Sequence, residues 1–235
     1  DLADLSDVAR FAACIATAYP KIDILLNNAG ILAVPKWTAS ADGHELQFAT
    51  NFLGHFALTG RLLPNLRGGR VVSIGSISHH HVALNPADLQ SRTPYTPWLA
   101  YARTKLAMLT VALELQRRSD AAGWGIHSTA AHPGLAKTEI VAHGPGIGTT
   151  RRPFMQTAMA LGLSIWGQSA EKGAASSVVA AVADIPGGAY IGPTGFREMW
   201  GPLGHAKIAP QARSRAIADA LWNQSEQLTG VTYPA

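Results

Sequence analysis

Cysteine is almost missing from this chain: Cys14 is the only one among 235 residues. No intrachain disulfide can form and no cysteine cluster can hold a metal, which fits a reducing, cytoplasmic setting. Charge is also sparse. Charged residues make up 14% of the chain, and the net +4 is spread over scattered Lys and Arg with only short pairs at Arg117-Arg118 and Arg151-Arg152. Without a basic stripe interleaved with aromatics, nucleic acid is not an expected partner. No apolar run approaches ~18 residues, so no membrane span is expected. The start carries no signal-peptide pattern. Internal repeats, low-complexity tracts and linkers are absent. What is present is a 47% hydrophobic composition, enough for a single domain over residues 1–235 with a sizeable core.

The elements read in alternation. Residues 4–19 predict a helix capped by Asp4 or Ser6, with an apolar stripe of Val8, Phe11, Ala12, Ile15 and Ala16. The apolar run Ile22 to Asn28 predicts a buried parallel strand. A helical segment spans about 40–66, and a second strand covers Arg70 to Gly75. A long loop rich in His, Pro and Asp follows, from Ser76 to Pro97, and long loops in compact domains are usually functional. A helix begins near Tyr101 and runs to Gln116. A third strand covers Gly125 to Ala131, a small-residue helix 171–183, a fourth strand Gly188 to Gly192, and a last helix 210–228. Strands alternating with helices predict an α/β fold, a doubly wound parallel sheet with helices on both faces.

The chemistry gathers around Tyr101-Ala102-Arg103-Thr104-Lys105. Residues four apart lie on one helix face, so Tyr101 and Lys105 point the same way. A free tyrosine titrates near pH ~10. A fixed ammonium at ~4 Å contributes roughly 4 kcal/mol at an effective dielectric of ~20, in the direction that favours tyrosinate. A phenol tuned in this way can exchange a proton with a substrate oxygen.

Ligands of such sheets bind outside the carboxyl ends of the strands. That rim holds Asn27, Asn28, Ala29 and Gly30 after the first strand, Ser76 and Ser78 after the second, and Pro133, Gly134 and Thr138 after the third. In order, Asn27-Asn28-Ala29-Gly30, Asn51 in Asn-Phe-Leu-Gly-His-Phe, Ser76, Tyr101-x-x-x-Lys105 and His132-Pro133-Gly134 resemble the short-chain dehydrogenase/reductase family. The loop from Ser78-His79-His80-His81 through Asp88-Leu89, and the ending Leu221 to Gly230, are similar to its branch of retinol dehydrogenases and WW-domain oxidoreductases. The resemblance covers essentially the whole chain.

It implies a Rossmann-type fold and an NAD(P)-dependent oxidoreductase, with NADP favoured over NAD by analogy. Tyr101 would be the acid/base, and Lys105 would hold the nicotinamide ribose and lower the tyrosine pKa. Ser76 would hydrogen-bond the substrate oxygen, and Asn51 would hold a water that relays protons to Lys105. Asn28, Ala29 and Gly30 would pack near the adenosine ribose, Asp1 and Leu2 near the adenine, and Pro133, Gly134 and Thr138 at the carboxamide. The substrate would be a small lipophilic alcohol or carbonyl compound, met by a lid at about 135–169. Phe154, Met155, Trp98 and Trp166 are candidates for lining its pocket. Residues 193–235 would form a C-terminal extension. The resemblance also implies a homodimer through the helices 40–66 and 99–117.

One departure stands out. The family's glycine-rich turn precedes everything here, and the chain opens on Asp1 rather than Met. The first βα units are missing from the sequence, ~60 residues on usual element lengths, so a longer parent protein is expected. The strand 22–28 would then stand as an uncovered edge. Other readings fit less well. Gly144 to Thr149 does not follow a strand, and Pro145 removes an amide donor, so a phosphate loop is disfavoured. His79-His80-His81 lacks metal-ligand spacing and reads as loop surface. No G-x-S-x-G elbow supports a hydrolase. The alternative that remains is a non-catalytic interaction module, which titration with NADPH and NADH separates from an enzyme.

Overall fold

The computed structural model describes residues 1–136 and 167–234. Helix α1 (Leu5–Ala18) starts at Asp4, whose carboxylate accepts the amides of Ser6 and Asp7, satisfying donors that the first helical turn leaves free. Val8 and Ala12 of its apolar stripe are buried, but Phe11 is 54% exposed. Strand β1 (Ile24–Asn27) is the central part of the expected apolar run.

The segment 40–66 is less regular than its periodicity predicts. Its beginning is a turn closed by a bridge between Ala39 and Glu45. Helix α2 then runs as an α-turn (Leu46–Phe48), a π-helical stretch (Ala49–Leu53) and an α-helix (Gly54–Arg61). The chain breaks at Leu62 and restarts as α3 (Leu63–Leu66), with Pro64 in its first turn, where a missing N–H costs little. After β2 (Arg70–Ile74) comes a tight 3₁₀ turn, Ile77–His81. Helix α4 (Pro97–Ala122) ends on Gly123 at φ 66, a left-handed cap that glycine adopts freely. Strand β3 (His127–Ala131), helix α5 (Ala170–Val182), β4 (Tyr190–Pro193), β5 (Leu203–His205) and helix α6 (Arg215–Thr229) complete the order. The last helix was expected from residue 210, but Pro210–Arg213 is a 3₁₀ turn and Ser214 caps the helix proper.

Among the described residues five strands form one sheet, in sequence order. β1 to β4 are parallel and β5 pairs antiparallel with β4, so the fold is an α/β, Rossmann-type sheet. Alternation along β2 assigns the faces. Val71 joins the large core with Val8, Phe52, Leu106 and Trp222, while Val72 and Ile74 join a second core with Ala131, Ala180 and Ile191. Helices α1, α2, α4 and α6 cover the first face and α5 the second. On that second face Ile24 and Leu26 of β1 remain 44% and 43% exposed, so the strand is covered on one side only.

The C-terminal part of the chain packs into the first core through Ala206, Ala209, Leu221, Trp222 and Tyr233. Trp222 packs against Phe56 and Tyr233 at ring distances of 5.1 and 4.6 Å. Helix α4 is buried nearly all round from Ala100 to Leu115, so most of the surface anticipated for association between copies is covered within the chain. No helix among the described residues is long and apolar enough to cross a membrane.

Candidate active site

The polar residues expected at the strand ends converge there. Tyr101 and Lys105, in the first turns of α4, are both buried, and the Lys105 ammonium lies 5.8 Å from the centre of the Tyr101 ring. Lys105 Nζ donates to the carbonyl of Ile74, the last residue of β2, at 2.9 Å. Two residues on, Ser76 caps the Ile77–His81 turn: its Oγ accepts the Ser78 amide and its side chain hydrogen-bonds Tyr101. The helical spacing of the Tyr–Lys pair is thus realised, with the serine beside it.

The electrostatics run against the expected direction. Burial pushes the Tyr101 phenol up to about 12, offset only in part by the Ser76 hydrogen bond. Burial also pushes Lys105 down to about 8. In the protein alone Lys105 does not lower the tyrosine pKa, because desolvation disfavours the charged form of each partner.

Asn51 sits in the π-helical part of α2 and is fully buried. Its Oδ1 accepts from Ile31 N at 2.7 Å, and its Nδ2 donates to Ile31 O at 2.9 Å and Thr104 Oγ1 at 3.0 Å. Thr104 in turn donates to the Tyr101 carbonyl at 2.7 Å. These bonds make the Asn51 side chain a clamp between the loop after β1 and the Tyr101 helix.

Nearby, His55 Nε2 donates to Ala29 O at 2.8 Å, and burial holds that imidazole neutral, its pKa lowered to about 4. Asn28 and Ala29 are exposed and Gly30 half-buried at the end of β1. Asp1 Oδ1 accepts the Ala3 amide, and the Leu2 carbonyl lies against Gly54 of α2. After β3, Gly134 adopts φ 65, its amide donates to His132 Nδ1 at 3.2 Å, and Gln168 donates to the Pro133 carbonyl. Thr138, Phe154, Met155, Trp166, the Gly144 to Thr149 stretch and most of the expected lid lie outside the described residues. Trp98 is 42% exposed, its ring 5.7 Å from that of Tyr101, so it lines the mouth of the site rather than the core.

A second group of residues was not anticipated. The histidine turn is loop surface only in part: His80 and His81 are exposed, whereas His79 is fully buried. His80 Nε2 and His132 Nε2 lie 3.7 and 3.8 Å from Glu198 Oε2. Glu198 reaches them from a left-handed backbone at Arg197 (φ 49) and Glu198 (φ 58), a conformation that costs non-glycine residues energy. Its Oε1 accepts the Lys207 amide at 2.7 Å. Among the described residues no group of three or more His, Cys, Asp or Glu is arranged to hold a metal. Only the run of adjacent histidines hinted at this cluster in the sequence.

The first group suits a ligand rich in hydroxyls. A lysine ammonium carries three donors, and Lys105 spends one on Ile74 O. A Cβ at Gly30 would come within 3.0 Å of Asn51 Oδ1 and 3.7 Å of Lys105 Nζ, so the bare glycine keeps the space beside that ammonium clear. Both features fit the ribose of a nicotinamide cofactor.

Comparison with known proteins agrees. A family model described as short chain dehydrogenase matches residues 1–144. The chain is similar to polyprenol dehydrogenase of Mus musculus, 37% identical over 240 residues that make up 98% of this chain and 67% of the relative. It is 34% identical to retinol dehydrogenase 13 of Homo sapiens, over all of this chain and 69% of that one. A crystal structure of an uncharacterized protein from Mycobacterium paratuberculosis superposes with a TM-score of 0.80 at 38% identity, covering all of this chain and 75% of the other.

Proposed function

Because the chain belongs to the short-chain dehydrogenase/reductase family, whose members are NAD(P)-dependent oxidoreductases, we propose that it interconverts an apolar alcohol and its carbonyl compound with Tyr101 as acid/base. One observation carries this reading. The buried Tyr101 phenol is hydrogen-bonded to Ser76 and has Lys105 one helical turn away, at a rim where Gly30 leaves room beside the ammonium.

When bound, the nicotinamide cofactor supplies or accepts the hydride. In the reducing direction Tyr101, a phenol that holds its proton up to about pH 12, donates that proton to the substrate oxygen as negative charge develops there. The Ser76 hydroxyl donates a hydrogen bond to the same oxygen. Lys105, anchored on Ile74 O, offers its remaining N–H donors to the ribose hydroxyls. Asn51 keeps the loop after β1 in register with the Tyr101 helix. Asn28, Ala29 and Gly30 would hold the adenosine ribose, Asp1 and Leu2 the adenine, and Pro133 and Gly134 the carboxamide. NADP is favoured over NAD by analogy. Trp98 and Leu99, exposed beside Tyr101, support an apolar substrate, as do relatives named for retinol and polyprenol.

The test uses retinol and a polyprenol as probes, each with NADP and with NAD. Tyr101→Phe should lower kcat by about 10²–10⁴ while circular dichroism and the thermal midpoint stay unchanged. Full turnover by that variant would overturn the proposal. Isothermal titration with NADPH and NADH ranks the two cofactors, and binding of neither would favour a non-catalytic module.

A further inference from the structure

His79 makes a contact with the reaction centre that its place in a histidine run does not announce. Its Nδ1 lies 2.5 Å from the Ser76 carbonyl oxygen. A carbonyl only accepts, so this nitrogen carries the proton. Its Nε2 accepts the Ala209 amide at 3.3 Å, in the segment between β5 and the Pro210–Arg213 turn. Burial keeps the ring neutral, its pKa lowered to about 4, although the carbonyls of Ser76 and Lys207 pull the other way. The imidazole is therefore fully employed and fully buried, with the His80 ring tilted against it at 3.9 Å and Tyr190 meeting it edge-on at 5.5 Å.

The consequence falls on Ser76. Its carbonyl receives two hydrogen bonds from His79, one from the ring and one from the backbone amide. Its Oγ accepts the Ser78 amide at 3.2 Å, which leaves the hydroxyl proton to be given elsewhere, on the side where Tyr101 lies. A donor aimed at developing charge is effective only if its direction is set beforehand, and a displacement of ~1 Å can cost two orders of magnitude in rate.

We propose that His79 is a positioning residue: held between the Ser76 carbonyl and the Ala209 amide, its imidazole fixes the direction in which the Ser76 hydroxyl donates to the substrate oxygen. This rests on the reading of Ser76 given above. It also links the site to the chain's last third, since Ala209 lies 130 residues away.

Two amide side chains separate this role from simple core filling. Asparagine places an N–H where His79 Nδ1 stands but reaches no further; glutamine reaches the Nε2 position but leaves the Ser76 carbonyl without its side-chain donor. With retinol and NADP as the assay, His79→Asn should stay within about threefold of the parent kcat, and His79→Gln should lose at least about tenfold at unchanged KM. Combining His79→Gln with Ser76→Ala should cost no more than Ser76→Ala alone, because the group being aimed is gone. A readout without turnover is the imidazole ¹⁵N spectrum, in which His79 should be a non-titrating Nδ1–H tautomer from about pH 5 to 8. The proposal is overturned if glutamine is tolerated better than asparagine, if His79→Gln costs the same factor in the Ser76→Ala background, or if His79 is found as the Nε2–H tautomer. If Ser76→Ala alone keeps full turnover, the serine reading fails and this proposal with it, while the Tyr101→Phe result stands separately.

Discussion

On one side of Ser76 stand Tyr101 and Lys105; on the other, His79, His132 and Glu198. Both groups are buried and both lie at the carboxyl ends of the strands, but they are completed differently. Among the described residues Lys105 has one acceptor, Ile74 O, for three donors, and the Tyr101 phenol is bonded only to the serine. His79 is tied at both nitrogens to backbone. His132 Nδ1 accepts the Gly134 amide, so its proton sits on Nε2, facing Glu198 at 3.8 Å, and Glu198 is itself held by the Lys207 amide. The spare Lys105 donors, beside the open space at Gly30, suit a bound ligand. A ring such as His79, whose bonds end on the chain's own backbone, belongs to the frame that aims the serine.

The strongest test of that contrast is acid. His55, His79 and His132 are held neutral by burial, with pKa values lowered to about 4, about 4 and about 3. In the unfolded chain each takes up a proton near pH ~6.5. Between those limits the unfolded state binds more protons than the folded one, so stability is present above pH ~6.5 and drains away as pH falls toward 4. From about pH 7.5 to about pH 5.5 the three together should cost about 4 kcal/mol. Urea unfolding at the two pH values measures it. A flat profile would mean that these imidazoles, two of them in the histidine group and His55 beside Ala29, are hydrated.

A methyl group makes the next test. A Cβ at Gly192, in β4, would lie 2.0 Å from His132 Nε2 and 2.4 Å from Cδ2. That ring is fully buried, bonded to Gly134 and 5.1 Å from Tyr190, so it has nowhere to go. Gly192→Ala should destabilise by about 3 kcal/mol or more, at the upper end for overpacking, read as a fall in the denaturant midpoint. A variant as stable as the parent would show that the histidine side can yield.

Why was one group legible in the sequence and the other not? Tyr101 and Lys105 are four residues apart, and helical geometry alone puts them together. The strands are visible as apolar runs, whereas the break at Leu62 interrupts a segment that reads as one helix. The histidine group depends on contacts such as His79 with Ala209 and His80 with Glu198, which local pattern does not carry. They require β5, three residues paired antiparallel at the far end of the sheet, and a left-handed turn at Arg197-Glu198 that no glycine marks. The direction of the Tyr101 shift escapes the sequence for a related reason: spacing fixes which charges are neighbours, whereas burial, a property of the whole fold, decides the sign. The π-helical stretch that seats Asn51 also left no periodic trace.

The smallest expected change in stability is also the sharpest probe of the open group. Gly30 has no left-handed backbone, and a Cβ there would meet Asn51 Oδ1 at 3.0 Å and Lys105 Nζ at 3.7 Å. Alanine is therefore conformationally allowed. Its lower entropy in the unfolded chain gains roughly 0.4–1 kcal/mol, against a shift of a few tenths of an ångström asked of Asn51. The net change in stability should stay below about 1 kcal/mol, unlike the same methyl at Gly192. Binding should respond the other way, because the methyl stands beside the donors that Lys105 keeps free. Gly30→Ala should weaken NADPH binding by about tenfold, about 1.4 kcal/mol, measured by isothermal titration at an unchanged thermal midpoint. If the midpoint falls instead and the affinity holds, Gly30 serves packing alone, and the distinction between a ligand-facing and a frame-building side of Ser76 would have to be abandoned.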